Sequence, residues 1–168
     1  ARRLMYWQVY LHKAAVAAEY MVVNILKRAR ELREQGKNVP IHGPLAFFYD
    51  QKVQKGDITQ EIIEKFIQLD DTDVEFTIKQ WQTHPDFILS SLCKNVVSRR
   101  LLKIRLQNDP FKEEDIEQHK EALMAKEGFS QDEVNYFVFT GELVNQAYFQ
   151  NSKEPIMVWF KSGELQDI

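Results

Sequence analysis

The stretch RRLMYWQVYLHK, Arg2 to Lys13, decides how the rest of the chain is read. It predicts the start of a long helix running to about Gln35, with Gly36 as its stop. At about 100° per residue, Arg2, Tyr6, Val9, Tyr10, Lys13 and Ala17 fall on one narrow face. Two cations with two phenols between them are an odd choice for a core. Guanidinium and ammonium groups suit phosphate oxygens, and phenol rings suit packing on a sugar or base. The same stripe also fits long amphipathic side chains lying over a neighbouring helix with their heads in water. Periodicity leaves both readings open. The pattern begins without a capping residue before Arg2, so a segment of a longer protein is expected.

A chain of 168 residues can build one domain with a proper core, or two small ones. Hydrophobic residues make up 44% and charged residues 28%, which is ordinary for a globular protein. A net charge of -3 gives no basic field for nucleic acid or an anionic membrane, so neither partner is expected. No apolar run approaches the ~20 residues that a membrane span needs. Cys93 is the sole cysteine, which excludes an internal disulfide and a cysteine metal cluster. A cytoplasmic setting is expected.

Beyond Lys13 the helix continues through an alanine-rich stretch, with Val16, Tyr20, Val23 and Leu26 carrying its apolar face. Its basic end, Lys27, Arg28, Arg30 and Arg33, suits the macrodipole and reads as a solvated face. Lys37–Pro44 is a loop, and Leu45–Gln51 a short aromatic helix. Thr59 caps a helix over Gln60–Leu69, with Glu61 and Lys65 spaced as an ion pair. Asp70–Asp73 opens the next helix, and Pro85 and Asp86 start another through about Ser98. Residues 1–98 are thus expected to be a helical array: a long N-terminal helix and about four shorter ones. At Arg99 the character changes. Leu101–Gln107, Val134–Leu143, Pro155–Lys161 and Glu164–Ile168 read as strands, the second bulged near Gly141. Lys112–Glu127 reads as an acidic helix stopped by Gly128. Residues 99–168 are therefore expected to form a small α+β unit packed beside the helices.

The usual catalytic groupings are missing. There is no G-x-S-x-G elbow and no glycine-rich phosphate loop. His12, His42, His84 and His119 are scattered, without H-x-x-x-H or HD spacing, so no metal ligands and no catalytic residues are assigned. Cys93 reads as a packing residue. What remains is cationic: Arg2 and Lys13 with their tyrosines, and Arg99, Arg100 and Lys103 in SRRLLKIRL. The second cluster reads as a solvated junction or as an anion site, most simply for a nucleotide phosphate.

The stretch ARRLMYWQVYLHK with the alanine-rich helix after it resembles the helix just beyond the metal centre in bacterial HD-domain phosphohydrolases. These are relatives of the SAM-and-HD-domain dNTP triphosphohydrolase family. LDDTDVEFTIKQWQTHPDFILSSLCKNVVSRRLLKI, EVNYFVFTGELVNQAYF and IMVWFKSGELQDI are similar to the same family, so the resemblance covers most of the chain. It implies that this chain is the C-terminal part of such an enzyme. The family's H…HD…D ligands and its divalent metal would lie upstream, so the segment alone is expected to be inactive. By resemblance, Arg2 would bind a substrate phosphate and Tyr10 would pack on the deoxyribose. Lys13, Arg99 and Lys103, with His12 beside them, would match a regulatory nucleotide site at a subunit interface, which implies a homo-oligomer. The sequence departs from the family between Arg2 and Tyr10, where it is richer in aromatics, and at Arg100, where a neutral polar residue is usual. An alternative reading stays open: an oligomerisation or protein-binding module without a nucleotide role, in which Tyr136, Phe137, Phe139, Trp159 and Phe160 line an open sheet.

Overall fold

The computed structural model describes residues 12–51, 53–54, 56, 58–107, 109–143, 157–160 and 163–167. The described fold is mainly helical: α1 (Lys13–Glu34), α2 (Pro44–Asp50), α3 (Gln60–Gln68), α4 (Asp71–Trp81), α5 (Phe87–Val97), α6 (Glu113–Glu127) and α7 (Gln131–Val134). Among the described residues no helix is long and apolar enough to cross a membrane.

The helix boundaries follow local capping chemistry. His12 is extended (φ -64°, ψ 132°) and caps α1, its Nδ1 accepting from the Ala14 amide at 3.3 Å. The described part of the long helix expected from Arg2 thus starts at Lys13, and its stretch before His12, with Arg2, Tyr6, Val9 and Tyr10 of the stripe, lies outside the described residues. At the other end Gly36 takes φ 75°, and the amides of Gly36 and Lys37 bond back to Arg33 and Leu32 in a Schellman cap. Thr59 caps α3, as its sequence position predicts. The expected Glu61–Lys65 ion pair is replaced by a Gln60–Glu64 hydrogen bond. Asp70 and Asp73 form a reciprocal capping box at the start of α4.

The core lies between α1, α4 and α5. Met21, Ile25, Ala29 and Leu32 of α1 are fully buried at helical spacing. The core face is thus rotated from the expected one, and Val23 is 41% exposed. Trp81, Ile88, Leu89, Leu92 and Cys93 fill the opposite wall. Arg28 meets Asp86 at the start of α5, while the Met21 sulfur meets the Leu102 amide just past its end. The two helices therefore run antiparallel, and the N-terminus of α1 lies at the same end of the pair as Arg99–Lys103.

Two of the expected strands are absent. Leu101–Gln107 has no regular secondary structure and no strand partner among the described residues. Leu101 and Leu102 pack against the helical core, and Ile104 and Leu106 line the cavity beside α1. At Val134–Leu143 a capping box from Ser130 and Glu133 starts a helical turn. That turn continues through the amides of Phe137 and Val138, which both bond to the Val134 carbonyl. Here local hydrogen bonding overrides the β propensity of aromatic side chains. Gly141 is no bulge: a Cβ there would stand 2.3 Å from the Tyr20 hydroxyl, so glycine admits a close approach between α1 and this segment. The last two strands exist in short form. β1 (Met157–Trp159) and β2 (Leu165–Asp167) pair antiparallel, and Gly163 turns at φ 88°. The predicted strand-helix-strand unit is thus reduced, among the described residues, to helices, irregular chain and one hairpin.

Candidate functional site

Arg2 and Tyr10, expected to touch phosphate and sugar, lie outside the described residues. Lys13 is exposed in the first turn of α1, next to the capping residue His12. Arg99 follows α5 in the left-handed region at φ 55°, unusual for a residue with a Cβ. Its amide bonds to the Val96 carbonyl at 3.1 Å, and that of Arg100 to the Asn95 carbonyl at 2.8 Å. This is a Schellman cap built on arginine instead of glycine, at a cost of about 1 kcal/mol. Four residues on, Lys103 lines a cavity of about 210 Å³ together with Val16 and Ala17 of α1. Helix packing thus gathers His12, Lys13, Arg99 and Lys103 at one end of the α1–α5 pair. No hydrogen bond or ion pair joins their side chains to one another.

The cavity separates α1 from the run Leu102–Leu106, α6 and the turn after α7. Tyr20 closes one side, its ring 5.7 Å from Phe139 and its hydroxyl donating to the Glu142 carbonyl at 3.1 Å. His119 donates its Nδ1 proton to the Asp115 carbonyl at 2.6 Å, one helical turn back.

Sequence reasoning missed the polar cluster at the other end of the helix pair. Arg28 grips Asp86 with two hydrogen bonds, Nε to Oδ1 at 3.2 Å and Nη2 to Oδ2 at 2.7 Å. Only 15% and 12% of these two side chains is exposed, so Arg28 departs from the solvated face expected for the basic end of α1, where Lys27 and Arg30 are exposed. Arg28 also pairs with Glu31 and stacks 5.7 Å over the Tyr136 ring, whose hydroxyl donates to Glu31. Arg30 and Arg33 likewise hold α2, through the Phe48 carbonyl and Asp50. Asp86 is the cap of α5, accepting from the Leu89 amide at 2.9 Å. Burial pushes the Asp86 carboxyl up, but the Arg28 hydrogen bond, the Leu89 amide and the Arg28 charge outweigh it and hold the group below its ordinary range. The same Asp86 bond raises Arg28 above its ordinary value. Burial, aided by the Glu31 hydrogen bond, pushes Tyr136 up to about 12. A cap at Asp86 was legible from the HPD sequence. Its partner 58 residues away was not.

His84 belongs to this structural set. Its Nδ1 accepts the Asp86 amide at 3.0 Å, which leaves Nε2–H to donate to the Asn38 carbonyl at 3.0 Å. Among the described residues no three His, Cys, Asp or Glu side chains converge as a metal site would require. Cys93 is fully buried, and burial pushes its thiol up to about 12. In the native protein at pH 8, a thiol reagent such as Ellman's should therefore titrate almost none of it, and one thiol per chain in denaturant. Rapid native labelling would contradict the packing.

No family model matches the sequence. The uncharacterized protein YwfO of Bacillus subtilis (strain 168) is 33% identical over 103 residues, which is 61% of this chain and 22% of that protein. The crystal structure of a phosphohydrolase from Bacteroides thetaiotaomicron VPI-5482 matches with a TM-score of 0.81 at 34% identity, over 99% of this chain and 41% of that one. This chain spans less than half the length of either protein. Its fold is thus similar to that of a segment, about two-fifths of the whole, of a phosphohydrolase.

Proposed function

We propose that this chain is part of an HD-type phosphohydrolase that cleaves a dNTP to a deoxynucleoside and triphosphate. The observation that carries the reading is the 34% identity with a phosphohydrolase along 99% of the chain, in one fold. The long sequence resemblance narrows it to deoxynucleoside triphosphates. In this reading Arg2 steadies the charge developing on the leaving triphosphate, and Tyr10 packs on the deoxyribose. His12, Lys13, Arg99 and Lys103 receive a regulatory nucleotide between subunits of a cytoplasmic homo-oligomer. Their gathering at one end of the α1–α5 pair supports this, and so does the rigid cap that presents Arg99. In this reading the divalent metal is held by H…HD…D residues elsewhere in the longer protein. The test is triphosphate release by the full-length protein. Arg2→Ala should lower kcat/KM for dNTP at least tenfold, the worth of one charge-assisted contact. Unchanged turnover would remove Arg2 from the site.

A second reading, an assembly module without nucleotide, is favoured by α3. Ile63, Phe66 and Ile67 form an apolar stripe that is 41%, 66% and 75% exposed. Size in solution separates the two readings. With dGTP, the nucleotide reading predicts a larger assembly that Arg99→Gly abolishes, because glycine keeps the left-handed cap and removes only the cation. An oligomer indifferent to both dGTP and Arg99→Gly would favour the module.

A further inference from the structure

We propose that the cavity between α1 and α6 binds a small ligand made of one apolar ring, or a short alkyl chain, carrying a single anionic head. Its volume of about 210 Å³ sets the size. A cavity of roughly 150 Å³ lined by Leu, Ile and Phe holds a benzene, so this one takes a ring with a short arm. The ligand is smaller than the nucleotide proposed above, and the two would share Lys103.

The walls set the body of the ligand. Val16 and Ala17 are 2% and 3% exposed, and Ile104, Ile116 and Phe139 are half-buried around the same space. The rim sets the head. Lys103 and Arg105 are exposed, both line the cavity, and neither forms an ion pair or donates a hydrogen bond among the described residues. The Arg105 guanidinium lies 5.8 Å over the Phe111 ring at the cavity wall, with its N–H fork making no hydrogen bond among the described residues. Among the described residues Asp115 is the one carboxylate on the rim, so there two cations face one anion. That balance favours a carboxylate or sulfonate on the Lys103–Arg105 side. His119 spends Nδ1–H on the Asp115 carbonyl and faces the cavity beside it.

The experiment is calorimetric titration of this 168-residue chain with phenylpropanoate, and in parallel with phenylpropanol, which has the same body and no charge. Phenylpropanoate should bind more tightly than the alcohol, and added salt should narrow the difference. The double variant Lys103→Gln, Arg105→Gln changes exposed side chains only. It should weaken phenylpropanoate about tenfold and leave the alcohol unchanged. Val138→Phe, on the cavity wall, should weaken both compounds, with the melting temperature showing that the variant folds. The proposal is overturned if neither compound binds up to about 10 mM. Equal binding of the two compounds, or a double variant that binds phenylpropanoate as the parent does, overturns it as well.

Discussion

Replacing Asp86 with alanine should lower the unfolding free energy by about 3 kcal/mol, a large part of the roughly 5–15 kcal/mol typical of a domain. Two losses combine. The cap of α5 disappears, worth about 1 kcal/mol. Arg28 is left with 15% of its side chain in solvent and without its bidentate partner, which adds about 2 kcal/mol. Glu31 and Tyr136 remain near Arg28 and limit the damage. The pH dependence carries the same signature. The folded carboxyl of Asp86 is held below its unfolded value, so its contribution is complete above the ordinary carboxylate range. It fades as pH falls through that range toward the lowered folded value. Asp86→Asn, which keeps a cap but loses the charge, should therefore be penalised near pH 7 and much less near pH 3. Urea unfolding at both pH values measures this. A constant penalty across them would mean that the cap and not the ion pair carries the effect. A double-mutant cycle with Arg28→Met isolates the coupling. Because Asp86 anchors the start of α5, its loss also frees the helix whose far end presents Arg99 and Lys103.

That ion pair marks the boundary of what was legible in the sequence. Thr59, Asp70, Gly36 and Gly128 could be read as helix ends because a cap bonds to residues two to four positions away. Strand identity was legible where the partner is local, as in the hairpin of Met157–Trp159 and Leu165–Asp167, and not where it would have had to be distant. Leu101–Gln107 alternates as a strand does, yet it has no strand partner among the described residues, and Leu101 and Leu102 lean on a helical core. At Val134–Leu143 the decisive signal was local after all: Ser130 and Glu133 form a capping box three residues apart. The aromatic run behind it hid that signal. The core face of α1 was read about one residue out of phase, with Val16 buried as expected, because Tyr20 and Val23 look as apolar as Met21 and Ile25. Only packing against α5 decides between them. Of the candidate site, the cations Lys13, Arg99 and Lys103 could be found as charges out of place. Their shared end of the molecule depends on the antiparallel run of α1 and α5, which rests on contacts more than fifty residues apart.

Trp81→Ala should cost about 4 kcal/mol, and its comparison with Trp81→Phe shows why. The indole is fully buried, and its Nε1 donates to the Pro40 carbonyl at 2.7 Å. Its ring meets Tyr49 edge-on at 6.4 Å, so one side chain joins α4, α2 and the loop after α1. Alanine opens a large cavity that surrounding rings cannot collapse into, because Tyr49 is itself tied to the Leu26 carbonyl at 2.9 Å. Phenylalanine keeps most of the volume and removes the donor, leaving the Pro40 carbonyl without its partner for about 1–2 kcal/mol. The ordering alanine well above phenylalanine means that packing dominates; equal penalties would mean that the Pro40 bond does. Chemical denaturation followed by far-ultraviolet circular dichroism reads both variants without relying on the removed indole. A penalty below about 1 kcal/mol for Trp81→Ala would show that the loop after α1 is held by something other than this side chain. The pair also tests the antiparallel frame from its opposite side. Asp86 fixes α5 against α1 through charge, and Trp81 fixes α4 and the loop against the same core through packing. If the two sites are as separate as their partners, Asp86→Ala and Trp81→Ala should add within about 0.5 kcal/mol. A marked departure from additivity would reveal that the turn between them, His84 to Asp86, transmits strain from one anchor to the other.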